Sequence, residues 1–256
     1  MAACNGTPPF FVKAVKKMQL DYLWPGGPGF VQRETVFKLG TDAVLLAHFT
    51  NTARAKRAVD LGCGAGILPV LLAERTTGIQ IDCVDILPEA VALTTENAAH
   101  NGLADRIQAR LGDIRQISDI FPAGAYDLAV SNPPYFPAGA GKRASGTALA
   151  NARDEATCTL DALCSAAAYL LRWGGRFSIV HRPERLSELF VTMIRHGIEP
   201  KRLRMVALTA NAAPNLILAE GRRGGNPGLI VEAPLILQDE TGADSPEVRG
   251  IYHMDL

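Results

Sequence analysis

An α/β fold built on a mostly parallel sheet is predicted from three observations. Between residues 57 and 181, short apolar segments closed by glycine or aspartate alternate with stretches of helical character. Such alternation places helical crossovers on both faces of a parallel sheet. Of 256 residues, 48% are hydrophobic and 20% charged, enough for a large core and incompatible with disorder or a coiled coil. The most extended apolar stretches, such as residues 67–73, fall far short of the roughly 20 residues that a membrane-spanning helix needs, so no membrane partner is expected.

Taken in order, residues 24–30 (WPGGPGF) form a loop, and 41–49 (TDAVLLAHF) a helix capped by Thr41 or Asp42. The run 57–62 (RAVDLG) is a buried strand, 67–75 a helix, and 79–85 (IQIDCVD) an alternating strand, which makes one β-α-β unit. A helix over 88–101 leads to a strand at 107–113 (IQARLGD), and a further strand at 126–131 (YDLAVS) runs into Asn132-Pro133-Pro134-Tyr135. Next come a helix over 160–171, a turn at Trp173-Gly174-Gly175 and a strand at 176–181. Past residue 200 the texture changes to three strands on short links, 203–210, 216–221 and 229–237, for which antiparallel pairing is expected.

Charge and cysteine usage narrow the function classes. Lys+Arg and Asp+Glu balance at 26 each, so any nucleic-acid contact must come from local basic patches rather than a global field. The five cysteines (Cys4, Cys63, Cys83, Cys158, Cys164) show no CxxC pair and no histidine at zinc spacing, so reduced thiols and no metal are expected. The first lysines follow the short N-terminal apolar patch instead of preceding it, unlike a signal peptide, which points to the cytoplasm.

The chemistry-bearing residues fall at the carboxyl ends of the predicted strands. Asp60-Leu61-Gly62-Cys63-Gly64-Ala65-Gly66 ends the first strand with glycines that let the backbone approach a ligand, just before a helix N-terminus. The spacing is GxGxG, not the GxGxxG of dinucleotide binders, which argues against NAD. Asp85 ends the second strand, as expected of an acid that bonds ribose hydroxyls, and Asp113 ends the third. The fourth ends in SNPPYF. Its prolines make a stiff segment in which the Asn132 side chain and the Pro133 carbonyl can both accept hydrogen bonds from one NH₂ group. Tyr135 offers a stacking face for a planar substrate.

DLGCGAG, Asp85 and Asp113 resemble the class I S-adenosylmethionine-dependent methyltransferases, and NPPY is similar to the motif of those that methylate an amino or amide nitrogen. Nearly the whole chain resembles the tRNA1(Val) adenine-37 N6-methyltransferases. FVQRETVFKLGTDAVLLAHF upstream of the glycines, ARDEATCTLDAL after NPPYF, and HRPERLSELFVTMIRHGIEPKRLRMV carry that likeness. The resemblance implies a Rossmann-like class I methyltransferase fold, with a mostly parallel seven-stranded sheet and an antiparallel C-terminal strand pair. The domains expected are a catalytic domain over 51–240, preceded by an N-terminal extension and cofactor-closing segment (1–50) and followed by a tail (241–256), with nothing carried over to the first 20 residues or to the stretch after Asp239. Gly62, Gly64 and Gly66 would surround the methionine part of S-adenosylmethionine. Asp60 would meet its ammonium, Asp85 the ribose and Asp113 the adenine amino group, with Ile86 and Ile114 flanking the ring. Lys38, Thr41 and Asp42 match the upstream closing motif, and Asn132 would border both cofactor and substrate.

The implied reaction is methyl transfer to the exocyclic nitrogen of adenine in tRNA. That nitrogen's lone pair is delocalised into the ring, so two acceptors on its N–H atoms, Asn132 Oδ1 and the Pro133 carbonyl, favour the tetrahedral geometry that attack requires. Pro134 stiffens the motif, and Tyr135 and Phe136 would hold the base. The pairs Lys142-Arg143 and Arg222-Arg223 are expected to contact phosphates of an anticodon stem-loop, as are basic residues at 201–204. Protein-glutamine, rRNA-guanine and DNA-adenine enzymes share NPPY or a near relative. The alternatives are therefore a protein-glutamine N5-methyltransferase acting on a release factor, another NPPY-type RNA amino-methyltransferase, and a non-catalytic RNA-binding module.

Overall fold

A computed structural model describes residues 20–31, 40–134 and 159–254. Lys38, Tyr135, Phe136, Lys142 and Arg143, with Cys4 and Cys158, lie outside the described residues. Leu20–Tyr22 (β1) and Gly29–Val31 (β2) pair as an antiparallel hairpin around the WPGG turn. Helix α1 (Thr41–Phe49) follows. Its N-cap is Gly40, with no side-chain capping bond, so neither Thr41 nor Asp42 caps it. The Thr41 hydroxyl is instead hydrogen-bonded to Tyr252.

The α/β core matches the alternation closely. Arg57–Leu61 (β3), Ile67–Arg75 (α2), Gln80–Asp85 (β4), Pro88–His100 (α3), Ile107–Leu111 (β5) and Tyr126–Ser131 (β6) follow in order. Leu160–Leu170 (α4) passes directly into the long strand Leu171–His181 (β7). The expected turn at Trp173-Gly174-Gly175 is absorbed into β7 as an irregularity, where the β6 register shifts between Tyr126 and Leu128 and Gly174 adopts φ +80. Leu186–Arg195 (α5), Ile198–Ala207 (β8) and Leu216–Arg223 (β9) lead to the short strands Ile230–Val231 (β10) and Leu235–Ile236 (β11), and Pro246–Ile251 (α6) closes the chain.

The sheet runs β10-β8-β9-β7-β6-β3-β4-β5, with β11 also on the free edge of β8. Its seven longer strands are parallel except β9, which lies antiparallel between β7 and β8. The expectation for 229–237 is corrected. This stretch is two short strands, and both pair parallel to β8. After β9 the chain turns around the start of β8 and returns along its outer edge in the same direction. Pro234, lacking an N–H, falls between β10 and β11.

Two apolar layers cover the sheet. One joins α1, α2, α3 and the hairpin residues Phe30 and Val31, together with Val248 and Ile251 of α6. The other joins α4 and α5 through Leu163, Leu189 and Met193. The run of β3 is buried on both faces, as expected of a central parallel strand. Connections leave β3 toward β4 and β5 on one side, then return to β6 on the other. That reversal opens a crevice at the carboxyl ends of β3 and β6, where open α/β sheets bind ligands. Among the described residues no helix is long and apolar enough to cross a membrane.

Candidate functional site

A small cavity of about 120 Å³ sits at that reversal, bordered by Gly40, Asp60, Gly62, Gly64, Ala65 and Asn132. Gly62, Gly64 and Gly66 all adopt positive φ, at +84, +55 and +75. At Gly66, the N-cap of α2, a Cβ would also lie 3.0 Å from the backbone of Thr94, so only glycine fits between loop and α3. At Gly62 a Cβ would meet nothing within 4 Å among the described residues, so the loop has open space there.

The three acids are not level. Asp60 pairs in register with Cys83, two residues before Asp85, so it lies deepest. It is 1% exposed, and its Oδ1 is buried without a hydrogen-bond partner among the described residues. Burial, reinforced by the nearby Asp85 charge, pushes its carboxyl up to about 8. Asp85 is 8% exposed; its Oδ2 accepts from Gly64 N at 2.9 Å and its Oδ1 from Leu87 N at 3.0 Å. Burial raises its pKa, and these backbone donors oppose the rise. Asp113, nearer solvent, caps a short 3-10 turn by accepting from Arg115 N at 2.9 Å. The Arg115 guanidinium also binds it and holds its carboxyl below the usual range. Ile86 is 40% exposed, a surface side chain rather than a core aliphatic, whereas Ile114 packs partly into the second layer.

Asn132 is half-buried and borders the cavity, Pro133 is buried and Pro134 exposed. The base of this motif is anchored by Ser131, fully buried, whose hydroxyl donates to Leu61 O at 2.7 Å and ties β6 to β3. Glycine loop and motif are thus held against one another across the reversal. Arg222 and Arg223 are not brought to this place. Arg222 pairs with Arg176, which pairs with Leu128, four residues and about 13 Å along the strand short of Asn132. Arg223 donates to His196 O at 2.6 Å at the start of β8. Antiparallel β9 carries its last residues away from the crevice, so this pair lies apart from Asn132. Residues 201–204 lie on β8, where Arg204 pairs with Glu247 at 2.6 Å and Arg202 with Glu232 at 2.7 Å. Arg182 and Arg185, just past the end of β7, do lie on the crevice side, with Arg182 bonded to Asn215 O and Arg185 to Glu188.

Residues 33–193 match the methyltransferase small domain family. A tRNA1(Val) (adenine(37)-N6)-methyltransferase of Tolumonas auensis is 35% identical over 217 residues, covering 84% of this chain and 88% of the relative. The chain belongs to the tRNA1(Val) (adenine(37)-N6)-methyltransferase family. The family's member from Dickeya chrysanthemi is 34% identical over 79% of this chain and 81% of its own length. In fold, the chain is similar to a predicted O-methyltransferase of Agrobacterium tumefaciens, with a TM-score of 0.69 and 19% identity over 83% of this chain and 96% of that one.

Some residues that build this family member's site carry no sequence signal of their own. Thr94 and Asn97 look like the polar face of α3, yet both are fully buried. Thr94 donates to Gly64 O at 3.0 Å and Asn97 to Ala65 O at 2.8 Å, bracing the glycine loop from behind. Only burial of polar groups on an otherwise apolar contact face reveals them. A buried amide or hydroxyl left unpaired costs about 1–3 kcal/mol, so these bonds are structural obligations.

Proposed function

We propose that the chain transfers a methyl group from S-adenosylmethionine to the exocyclic N6 of an adenine in tRNA, position 37 of tRNA1(Val), acting in the cytoplasm. The observation that carries this reading is the meeting of Asn132 and Asp60 with the open glycine loop at one cavity, in a chain of this family. The residues present fit the cofactor. Among the described residues Asp60 has a buried carboxyl oxygen without a partner to offer an ammonium and Gly62 faces open space, while Asp85 presents its carboxylate beside the loop for ribose hydroxyls. Asp113 and the exposed Ile86 extend the site for the adenine. When bound, the cofactor supplies a sulfonium methyl, an electrophile strong enough to need no metal.

The work left to the chain is orientation. Asn132 Oδ1 and the Pro133 carbonyl accept from the two N–H atoms of the target amine, directing its lone pair toward the methyl donor. Pro133 and Pro134 fix the backbone so that both acceptors stay in place without reorganising. Lys38, Tyr135, Phe136, Lys142 and Arg143 are proposed to complete the cofactor and base-holding sides, with Arg182 adding positive charge beside the crevice. The adenine must be unstacked to reach Asn132, which is cheapest in a single-stranded loop. A protein-glutamine substrate remains the competing reading, because NPPY suits an amide nitrogen equally.

Asp60 gives this reading a pH signature. Unfolded, it loses its proton near 4; folded, near 8. The folded state therefore holds one more proton between those values, and stability of the ligand-free protein falls as pH rises from 4 to 8. An ammonium placed beside Asp60 favours the carboxylate. Binding of S-adenosylhomocysteine at pH 7 is expected to release close to one proton, seen as a dependence of calorimetric enthalpy on buffer ionisation enthalpy. Asp60→Asn should abolish that dependence. An unsubstituted protein without it places the ammonium elsewhere.

To separate the substrates, the protein is incubated with labelled S-adenosylmethionine and separate pools of unmodified tRNA, rRNA and release factor. Label in tRNA alone is expected, and label in release factor alone would replace this reading with the glutamine one.

A further inference from the structure

Thr94, Asn97 and Asn101 lie three and four residues apart, on one stripe that runs along α3 to its C-cap, Asn101. Asn97 is fully buried and uses both ends of its amide on different parts of the molecule. Its Nδ2 donates to Ala65 O of the glycine loop at 2.8 Å, and its Oδ1 accepts from Val31 N, the last residue of β2, at 2.8 Å. One partner is a carbonyl and the other an N–H, so the amide has a single orientation that satisfies both. One turn later, Asn101 grips the same strand: Oδ1 accepts from Gly29 N at 3.0 Å, and Nδ2 donates to Gly29 O at 2.9 Å and to Asn97 O at 2.7 Å.

These bonds form a chain. The hairpin is held by Asn101 and Asn97, Asn97 holds Ala65, and Ala65 borders the cavity together with Asp60 and Asn132. Beside Ala65, Gly64 is clamped from two sides, its N–H on Asp85 Oδ2 and its carbonyl on Thr94. A loop whose three glycines all need positive φ has little intrinsic preference for this shape, so its geometry depends on such external partners.

We propose that Asn97 is a positioning residue that couples the N-terminal hairpin to the glycine loop, so that hairpin docking raises affinity for the cofactor and cofactor binding tightens the hairpin. This rests on the reading of that loop as the S-adenosylmethionine site. Because coupling between two sites is reciprocal, either element orders the other to the same extent. Asn97 touches neither the target amine nor the methyl donor, so it acts on binding and not on the transfer itself.

The test measures S-adenosylhomocysteine affinity by calorimetry, steady-state kinetics at saturating cofactor, and amide hydrogen exchange at Gly29 and Val31 with and without S-adenosylhomocysteine. Asn97→Asp keeps the acceptor for Val31 N but sets an oxygen against Ala65 O. It is expected to weaken affinity roughly tenfold, leave kcat within about threefold, and uncouple Val31 exchange from the ligand. Asn101→Ala touches no atom of the loop; it is expected to speed Gly29 exchange and still weaken affinity about threefold. In the unsubstituted protein, S-adenosylhomocysteine should slow exchange at Val31. Unchanged affinity in Asn97→Asp, or Val31 exchange indifferent to ligand in the unsubstituted protein, overturns the coupling. If Asn97→Asp fails to fold, Asn101→Ala and the unsubstituted protein decide. Failure of the unsubstituted protein to bind S-adenosylhomocysteine at all overturns the cofactor reading, and the coupling with it.

Discussion

Asn132→Ala is expected to cut kcat by a hundredfold or more while the dissociation constant for S-adenosylhomocysteine stays within about twofold. A hundredfold loss corresponds to about 2.7 kcal/mol of transition-state stabilisation, the scale measured when one preorganised polar partner is removed from a developing charge. The motif has anchors besides this side chain. Ser131 anchors the end of β6 to Leu61 O, and the prolines set the backbone. Truncation therefore removes an acceptor without collapsing the site, and the loss should appear in kcat and kcat/KM together. Steady-state kinetics with tRNA, paired with calorimetry, checks both halves. A fully active variant would remove Asn132 from the chemistry.

Asp85→Ala is expected to weaken S-adenosylhomocysteine binding about a hundredfold. A charge-assisted hydrogen bond to ribose accounts for roughly 1.5–3 kcal/mol, or 10- to 100-fold. The structure adds a reason to expect the upper end of that range. The same carboxylate receives the N–H groups of Gly64 and Leu87, so its removal loosens the glycine loop as well as the ribose contact. Asp85→Asn retains one oxygen and should fall between the two, because its NH₂ cannot accept from whichever donor it faces. Equal affinity in all three proteins would take Asp85 out of the site.

How much of this was legible in the sequence follows from which signals are local. The β-α-β units could be read because a strand buried on both faces must be a largely apolar run, as β3 and β6 are, while β4 alternates, and each strand from β3 to β6 is closed by glycine, aspartate or asparagine. The site acids could be placed because they end those runs. The hairpin β1–β2 was not legible, since three-residue strands around WPGG carry too little periodicity to rise above a loop. Its purpose becomes visible only through Asn97 and Asn101, whose partners lie 66 and 72 residues away.

Topology misled where composition could not help. Arg222 and Arg223 look like any basic pair, and only the antiparallel direction of β9 shows that they finish away from Asn132. Likewise 229–237 has strand composition throughout, but its parallel pairing follows from a chain reversal that no local pattern encodes. At the cavity, the depth of Asp60 relative to Asp85 is a matter of register, and that depth drives its raised pKa. Sequence places three acids at strand ends; only the sheet distinguishes the deepest one from the two nearer the rim.

Asn132 and the glycine loop are proposed to serve one reaction, methylation of an adenine amino group in tRNA. Its most direct test is to incubate unmodified tRNA1(Val) with the protein and S-adenosylmethionine, digest the RNA and identify the modified nucleoside by mass. N6-methyladenosine from position 37 is expected, absent when Asn132→Ala replaces the unsubstituted protein. A methylated release-factor glutamine, with every adenine of the tRNA unmodified, would contradict it.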